Sequence, residues 1–86
     1  MTTKEFLDKC EKVVRDYTDE SLTSSPYTMP FEVYIVWYCK TLQNHKAIMT
    51  TSYINGIIFE LTYNGDKNQL YVDIYNKSEN KCIDCE

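Results

Sequence analysis

Two periodicities divide the chain. Between Thr3 and Asp19 the residues Phe6, Cys10, Val13, Val14 and Tyr17 recur at intervals that place them on one stripe of a helix. Lys4, Asp8, Glu11, Lys12 and Arg15 fall away from that stripe, so the helix is expected to lie on a surface with one face pressed inward. Thr2, followed three residues later by Glu5, has the form of a capping box, in which each side chain bonds the other residue's backbone N–H. From Phe31 the period drops to two. Phe31, Val33, Ile35, Trp37 and Cys39 alternate with Glu32, Tyr34, Val36, Tyr38 and Lys40, which predicts a strand with one apolar and one Tyr-bearing face.

The same alternation continues to Tyr75. Thr41 to His45 reads as a polar loop and Lys46 to Tyr53 as a second strand. Asn55-Gly56 is a strong hairpin signal, because both central residues of a type I′ turn need positive φ. Ile57 to Tyr63 forms a third strand, and Asn64-Gly65 with Asp66-Lys67-Asn68 a second turn. Leu70, Val72 and Ile74, alternating with Tyr71, Asp73 and Tyr75, predict the fourth. Residues 20–30, with their Ser, Thr and two Pro, form a connector, and 77–86 a polar tail. Short connections between successive strands favour an antiparallel meander. The expected fold is therefore α+β: a single domain, 1–86, with the helix (3–19) packed on one face of a four-stranded sheet (31–76).

Eighty-six residues cannot surround a deep cleft, which lowers the expectation of a buried catalytic site. No apolar run approaches the roughly 20 residues of a membrane span, and the polar N-terminus does not resemble a signal peptide. A soluble protein that stays inside the cell is expected. The net charge of −4 combines nine basic with thirteen acidic residues, Arg15 being the sole arginine. Phosphate recognition needs clustered cations, so nucleic acid is a poor expected partner and a basic protein surface a better one.

Four cysteines form an even set, but an intracellular setting argues against disulfides. Cys82 and Cys85 make a C-x-x-C that Cys39 and His45 could in principle complete as a zinc site. Without a second paired knuckle, free thiols are the expected account, and no metal or cofactor is assigned. His45 is the single histidine and has no Ser nucleophile or orienting carboxylate beside it, and the two glycines build no phosphate loop. A binding role is expected rather than catalysis.

One helix covers one face of a sheet, so the other must meet water or a partner. If Val33, Ile35, Trp37, Phe59, Leu61, Val72 and Ile74 turn to the helix, the opposite face collects Tyr34, Tyr38, Glu60, Thr62, Tyr71, Asp73 and Tyr75, with Lys40 at its edge. Tyrosine joins a large apolar ring to a polar tip and is enriched at interfaces for that reason. A homodimer through this face would use the same chemistry. Exposed tyrosines on a sheet also stack bases, which keeps a small nucleic-acid-binding protein of phage replication or recombination as the alternative.

The run Val36 to Ala47, together with Tyr63-Asn64-Gly65-Asp66-Lys67 and Tyr71-Val72-Asp73-Ile74-Tyr75, resembles a family of small uncharacterised proteins from bacteriophages and prophages of Gram-positive bacteria. The resemblance spans about 31–83. It implies action in the cytoplasm of an infected bacterium, where such proteins bind and inhibit or redirect a host protein, such as a CRISPR nuclease or another defence effector. Among its motif residues, Lys40, Gln43, Asn44, Lys46, Asp66, Lys67 and Asp73 join Tyr34, Tyr38, Tyr71 and Tyr75 as the expected partner-binding set. Gln43, Asn44 and Lys40 have the least evident folding role in the sequence, which singles them out.

Overall fold

The structure is a computed structural model that describes residues 1–22, 30–52, 57–76, 78–79 and 81–85. Most of the expected connector, the Asn55-Gly56 turn, the end of the expected second strand and part of the tail lie outside the described residues. Helix α1 (Thr3–Leu22) is followed by β1 (Val33–Thr41), β2 (Asn44–Thr51), β3 (Ile57–Asn64) and β4 (Gln69–Asn76). The strands form one antiparallel sheet in the order β1-β2-β3-β4, and the helix packs on one face of it, making contacts with β1, β2 and β3. The expected α+β meander is the observed fold. The helix runs three residues past its expected end at Asp19.

The capping box forms as expected. Thr2 N–H donates to Glu5 Oε1 at 3.0 Å, and Glu5 N–H donates to Thr2 Oγ1 at 3.1 Å. The Thr2 backbone N–H and, after it, the Thr2 side chain hold the Glu5 carboxyl below the usual carboxylate range, because both favour its charged form. Along the helix surface Lys4–Asp8, Glu11–Arg15 and Lys12–Asp16 pair one turn apart. Arg15 also reaches across the connector. Its guanidinium donates to the Phe31 carbonyl and lies 5.4 Å from the centre of the Phe31 ring, tying the helix to the approach of the sheet.

Phe6, Cys10 and Val14 carry the buried stripe of α1 and meet Ala47 and Met49 of β2 and Phe59, Leu61 and Tyr63 of β3. Burying a side chain such as Phe59 or Leu61 stabilises the fold by about 1.5–3 kcal/mol. Tyr17 stands at the margin of the stripe, its ring edge-on to Phe59 with centroids 5.5 Å apart. The next buried helix position is Thr18, whose hydroxyl is satisfied by donating to the Val14 carbonyl at 2.8 Å.

Strand β1 departs from the expected alternation. Ile35 pairs with Met49 and Trp37 with Ile48, so Val36 is an extra residue in a β-bulge. Beyond it the parity of the strand reverses. Tyr38 pairs with buried Ala47 and turns toward the helix, while Trp37 and Cys39 turn away with Ile48 and Lys46. The expected placement of Tyr38 on the uncovered face and Trp37 beneath the helix is therefore corrected: the two exchange places.

The expected loop 41–45 is also shorter than its sequence suggests. A two-residue turn, Leu42-Gln43, joins Thr41 to Asn44, and His45 lies inside β2. Leu42 takes φ 56° and is exposed, at a turn position where Gly or Asn is usual. The second turn follows the sequence reading. Asn64 Oδ1 accepts the N–H of Asp66 at 3.0 Å and of Lys67 at 3.3 Å, and Asn68 adopts φ 51°. Among the described residues no helix is long and apolar enough to cross a membrane.

Candidate partner-binding surface

Strand register sorts the expected site residues into three places. The first is beneath the helix. Tyr38 hydroxyl lies 2.8 Å from His45 Nδ1 and 3.0 Å from Thr3 Oγ1, and His45 Nε2 lies 3.1 Å from the Met1 carbonyl. A carbonyl only accepts, so Nε2 carries the ring proton and donates it to Met1. Nδ1 then accepts from the Tyr38 hydroxyl, whose oxygen accepts in turn from Thr3. Phe6 stacks on the imidazole with centroids 4.9 Å apart. The buried histidine is thus satisfied on both nitrogens, and Tyr38 anchors the first turn of α1 rather than facing outward. Cys39 and His45 belong to opposite faces, which separates them as ligands of one metal ion.

The second place is the hairpin end of the sheet, where the β1–β2 and β3–β4 turns meet. Gln43 Nε2 donates to Asp66 Oδ1, and the Gly65 N–H donates to Asn44 Oδ1 at 2.9 Å. A side chain at position 65 would press into the Gln43 carbonyl, so only glycine lets the turns approach this closely. Gln43, Asn44 and Asp66 therefore have the folding role that the sequence did not reveal. Lys67 stands exposed beside them, whereas Lys40, expected at the edge of the uncovered face, is moved by the bulge to the helix-side parity, where it pairs with His45 and stays exposed at the edge of β1.

The third place is the uncovered face. Tyr34, Trp37 and Cys39 of β1 share it with Lys46, Ile48 and Thr50 of β2, with Ile58, Glu60 and Thr62 of β3, and with Tyr71, Asp73 and Tyr75 of β4. The register aligns Trp37, Ile48, Glu60 and Asp73 in one row and Cys39, Lys46, Thr62 and Tyr71 in the next. The large rings stand on the two outer strands, with Tyr34 45%, Trp37 47%, Tyr71 48% and Tyr75 52% exposed. The inner strands carry no ring on this face, and Ile58 is as exposed as the rings of the outer strands. Three strand spacings of about 4.8 Å put the two aromatic rims about 14 Å apart. The molecule is 17 Å through its thinnest dimension, the depth of one helix on one sheet.

Charge on this face is net acidic, with Lys46 set against Glu60 and Asp73. Lys46 Nζ lies 2.9 Å from Glu60 Oε1, and its pKa is raised by that bond, with Asp73 and Tyr75 adding to the effect. Glu32 likewise raises the Tyr34 hydroxyl. A depression of about 290 Å³ opens at the hairpin end of the face, among Trp37, Cys39, Lys46 and Thr62. Trp37, Cys39, Lys46, Ile48, Thr50 and Ile58 are the residues of this face that the sequence reading did not place on it. The signal for Trp37 lies in the hairpin: a two-residue turn after Thr41 sets Tyr38 opposite Ala47 and Trp37 opposite Ile48.

Residues 7–85 match the family of unknown function DUF6275, and the chain belongs to that family. No curated protein and no solved structure matches it.

Proposed function

We propose that the chain is a phage accessory protein that binds a host protein in the bacterial cytoplasm and inhibits or redirects it by steric occupation. A defence effector such as a CRISPR nuclease is the favoured target class. The observation that carries the reading is the uncovered sheet face, with aromatic rims on both outer strands. Rims about 14 Å apart admit an α-helix, which is about 10–12 Å wide with its side chains. Tyr and Trp anchors around a ring-free floor suit a protein surface, since such rings bury large areas at little conformational cost. The phage setting draws on the resemblance of the Val36–Ala47 and Tyr71–Tyr75 segments.

Base stacking on the same rings is the competing use. Against it stands the pairing of Lys46 with Glu60 and the presence of Asp73 in the adjoining row, which leave this face a poor phosphate surface. Capture from host lysate by the tagged chain, with and without nuclease, tests the proposal. A stoichiometric host protein that survives nuclease, and that is lost on the double change Tyr71→Ala and Tyr75→Ala, is the expected result. Recovery of nucleic acid alone, with salt-sensitive affinity, overturns it in favour of a replication or recombination role.

A further inference from the structure

The sheet has two outer edges, and only one is blunted. Edge strands present unpaired N–H and C=O groups, which proteins guard with bulges, lysines, prolines or a covering segment. Strand β1 carries a bulge at Val36 and a lysine, Lys40, near its end. Strand β4, with the sequence QLYVDIYN, contains no Pro, Gly or Lys, and it pairs with β3 without a register shift. Among the described residues nothing pairs with its other edge.

The helix also stops short of it. Leu70, Val72 and Ile74 continue the helix-side rows of Tyr63, Leu61 and Phe59, yet α1 reaches only β1, β2 and β3. Leu70 and Val72 pack against the core at its margin and stay partly exposed, while Ile74 is 36% exposed.

We propose that two copies of the chain pair through β4, antiparallel about a two-fold axis, to make one continuous eight-stranded sheet. The argument for a second copy is the strand's fit to itself. In an antiparallel ladder each residue faces one whose backbone groups point the same way, so a strand pairs with its own copy about a residue and not between residues. For Gln69–Asn76 two centres pair the longest stretch: Val72, which pairs 69–75, and Asp73, which pairs 70–76. The second sets Asp73 directly against Asp73 of the other copy, and like charges so placed are destabilising. The first sets Tyr71 against Asp73 of the second copy on the open face. On the helix side it sets Leu70 against Ile74 and Val72 against Val72, covering the exposed Ile74 and the exposed parts of Leu70 and Val72. This pairing uses the edge alone and leaves the aromatic face free, so it is independent of the proposed host partner.

Sedimentation equilibrium of the purified full chain, with no partner present, measures the state directly. The expected mass is twice that of the 10.2 kDa chain, with Ile74→Lys shifting it to the monomer while the far-ultraviolet spectrum is unchanged. In a background with Cys39, Cys82 and Cys85 changed to Ser, Val72→Cys should form an intermolecular disulfide on mild oxidation. Directly opposed Cα atoms lie about 4.5–5.5 Å apart, within disulfide reach. Asp73→Cys, displaced from the axis, should not, and the cross-linking pair decides the register even where Ile74→Lys fails to fold. A monomer at every concentration overturns the proposal. So does a dimer that Ile74→Lys leaves intact and Trp37→Ala dissolves, since its contact would be the open face, and so does a cross-link through Asp73→Cys in place of Val72→Cys.

Discussion

The two faces of the sheet are made from the same four strands, yet they use the same kinds of side chain to opposite ends. Beneath the helix, Phe59, Tyr63 and His45 are buried against Phe6, Cys10 and Val14, and every polar atom of the Tyr38–His45 network has a partner. On the other side, Tyr34, Trp37, Tyr71 and Tyr75 stand about half-exposed around the paired Lys46 and Glu60. An aromatic ring in this protein is therefore a core element or a presented surface according to the parity of its position and not its type.

Matched changes on the two faces test that contrast. Phe59→Ala should have the largest effect, a loss of about 3–5 kcal/mol in urea unfolding, because it removes a ring buried between the helix and the sheet. At the turn clamp, Gly65→Ala should cost about 1–3 kcal/mol, as the new methyl group pushes the two hairpin turns apart. Gln43→Ala should not rescue it, since the nearest obstacle is the Gln43 backbone carbonyl.

The covered face should also leave a mark at alkaline pH. Burial pushes the Cys10 thiol up to about 12 from an ordinary 9.0. The unfolded chain loses that proton first, so the contribution is fully present below pH 9 and is lost as pH rises toward 12. The slope is at most about 1.4 kcal/mol per pH unit. It should vanish in Cys10→Val, read as the difference between the two unfolding curves so that titrating tyrosines and lysines cancel. Trp37→Ala should have the smallest effect on stability, under about 1 kcal/mol, while reducing partner recovery. If it destabilises as much as Phe59→Ala, the contrast between the faces fails.

The helix, its capping box, the four strands and the Asn64-Gly65 turn were legible because each rests on a local pattern: a stripe, a reciprocal hydrogen bond, an alternation, a residue tolerant of positive φ. The Val36 bulge was not. In VYIVWYCK both parities contain large apolar residues, so losing one step leaves no visible break in the pattern. The β1–β2 turn was hidden by Leu42, an apolar residue at a position usually marked by Gly or Asn. That single misreading lengthened the loop through His45, and the pairing of Tyr38 with Ala47 was lost with it. On the open face Tyr34, Glu60, Thr62, Tyr71, Asp73 and Tyr75 were legible, since β3 and β4 alternate cleanly and Tyr34 precedes the bulge. Gln43, Asn44 and Asp66 looked free because bonds between two turns distant in sequence leave no local trace.

The one-layer sheet also makes a statement about how this family can change. Along β2, Ala47 and Met49 answer to the chain's own helix, while Lys46 and Ile48 between them answer to whatever lies outside. Neighbouring codons are thus under different selection, and substitutions among relatives should alternate along the strand, slow at one position and fast at the next. Every second residue of β2 and β3 is thus open to change without disturbing the residues that fold the protein.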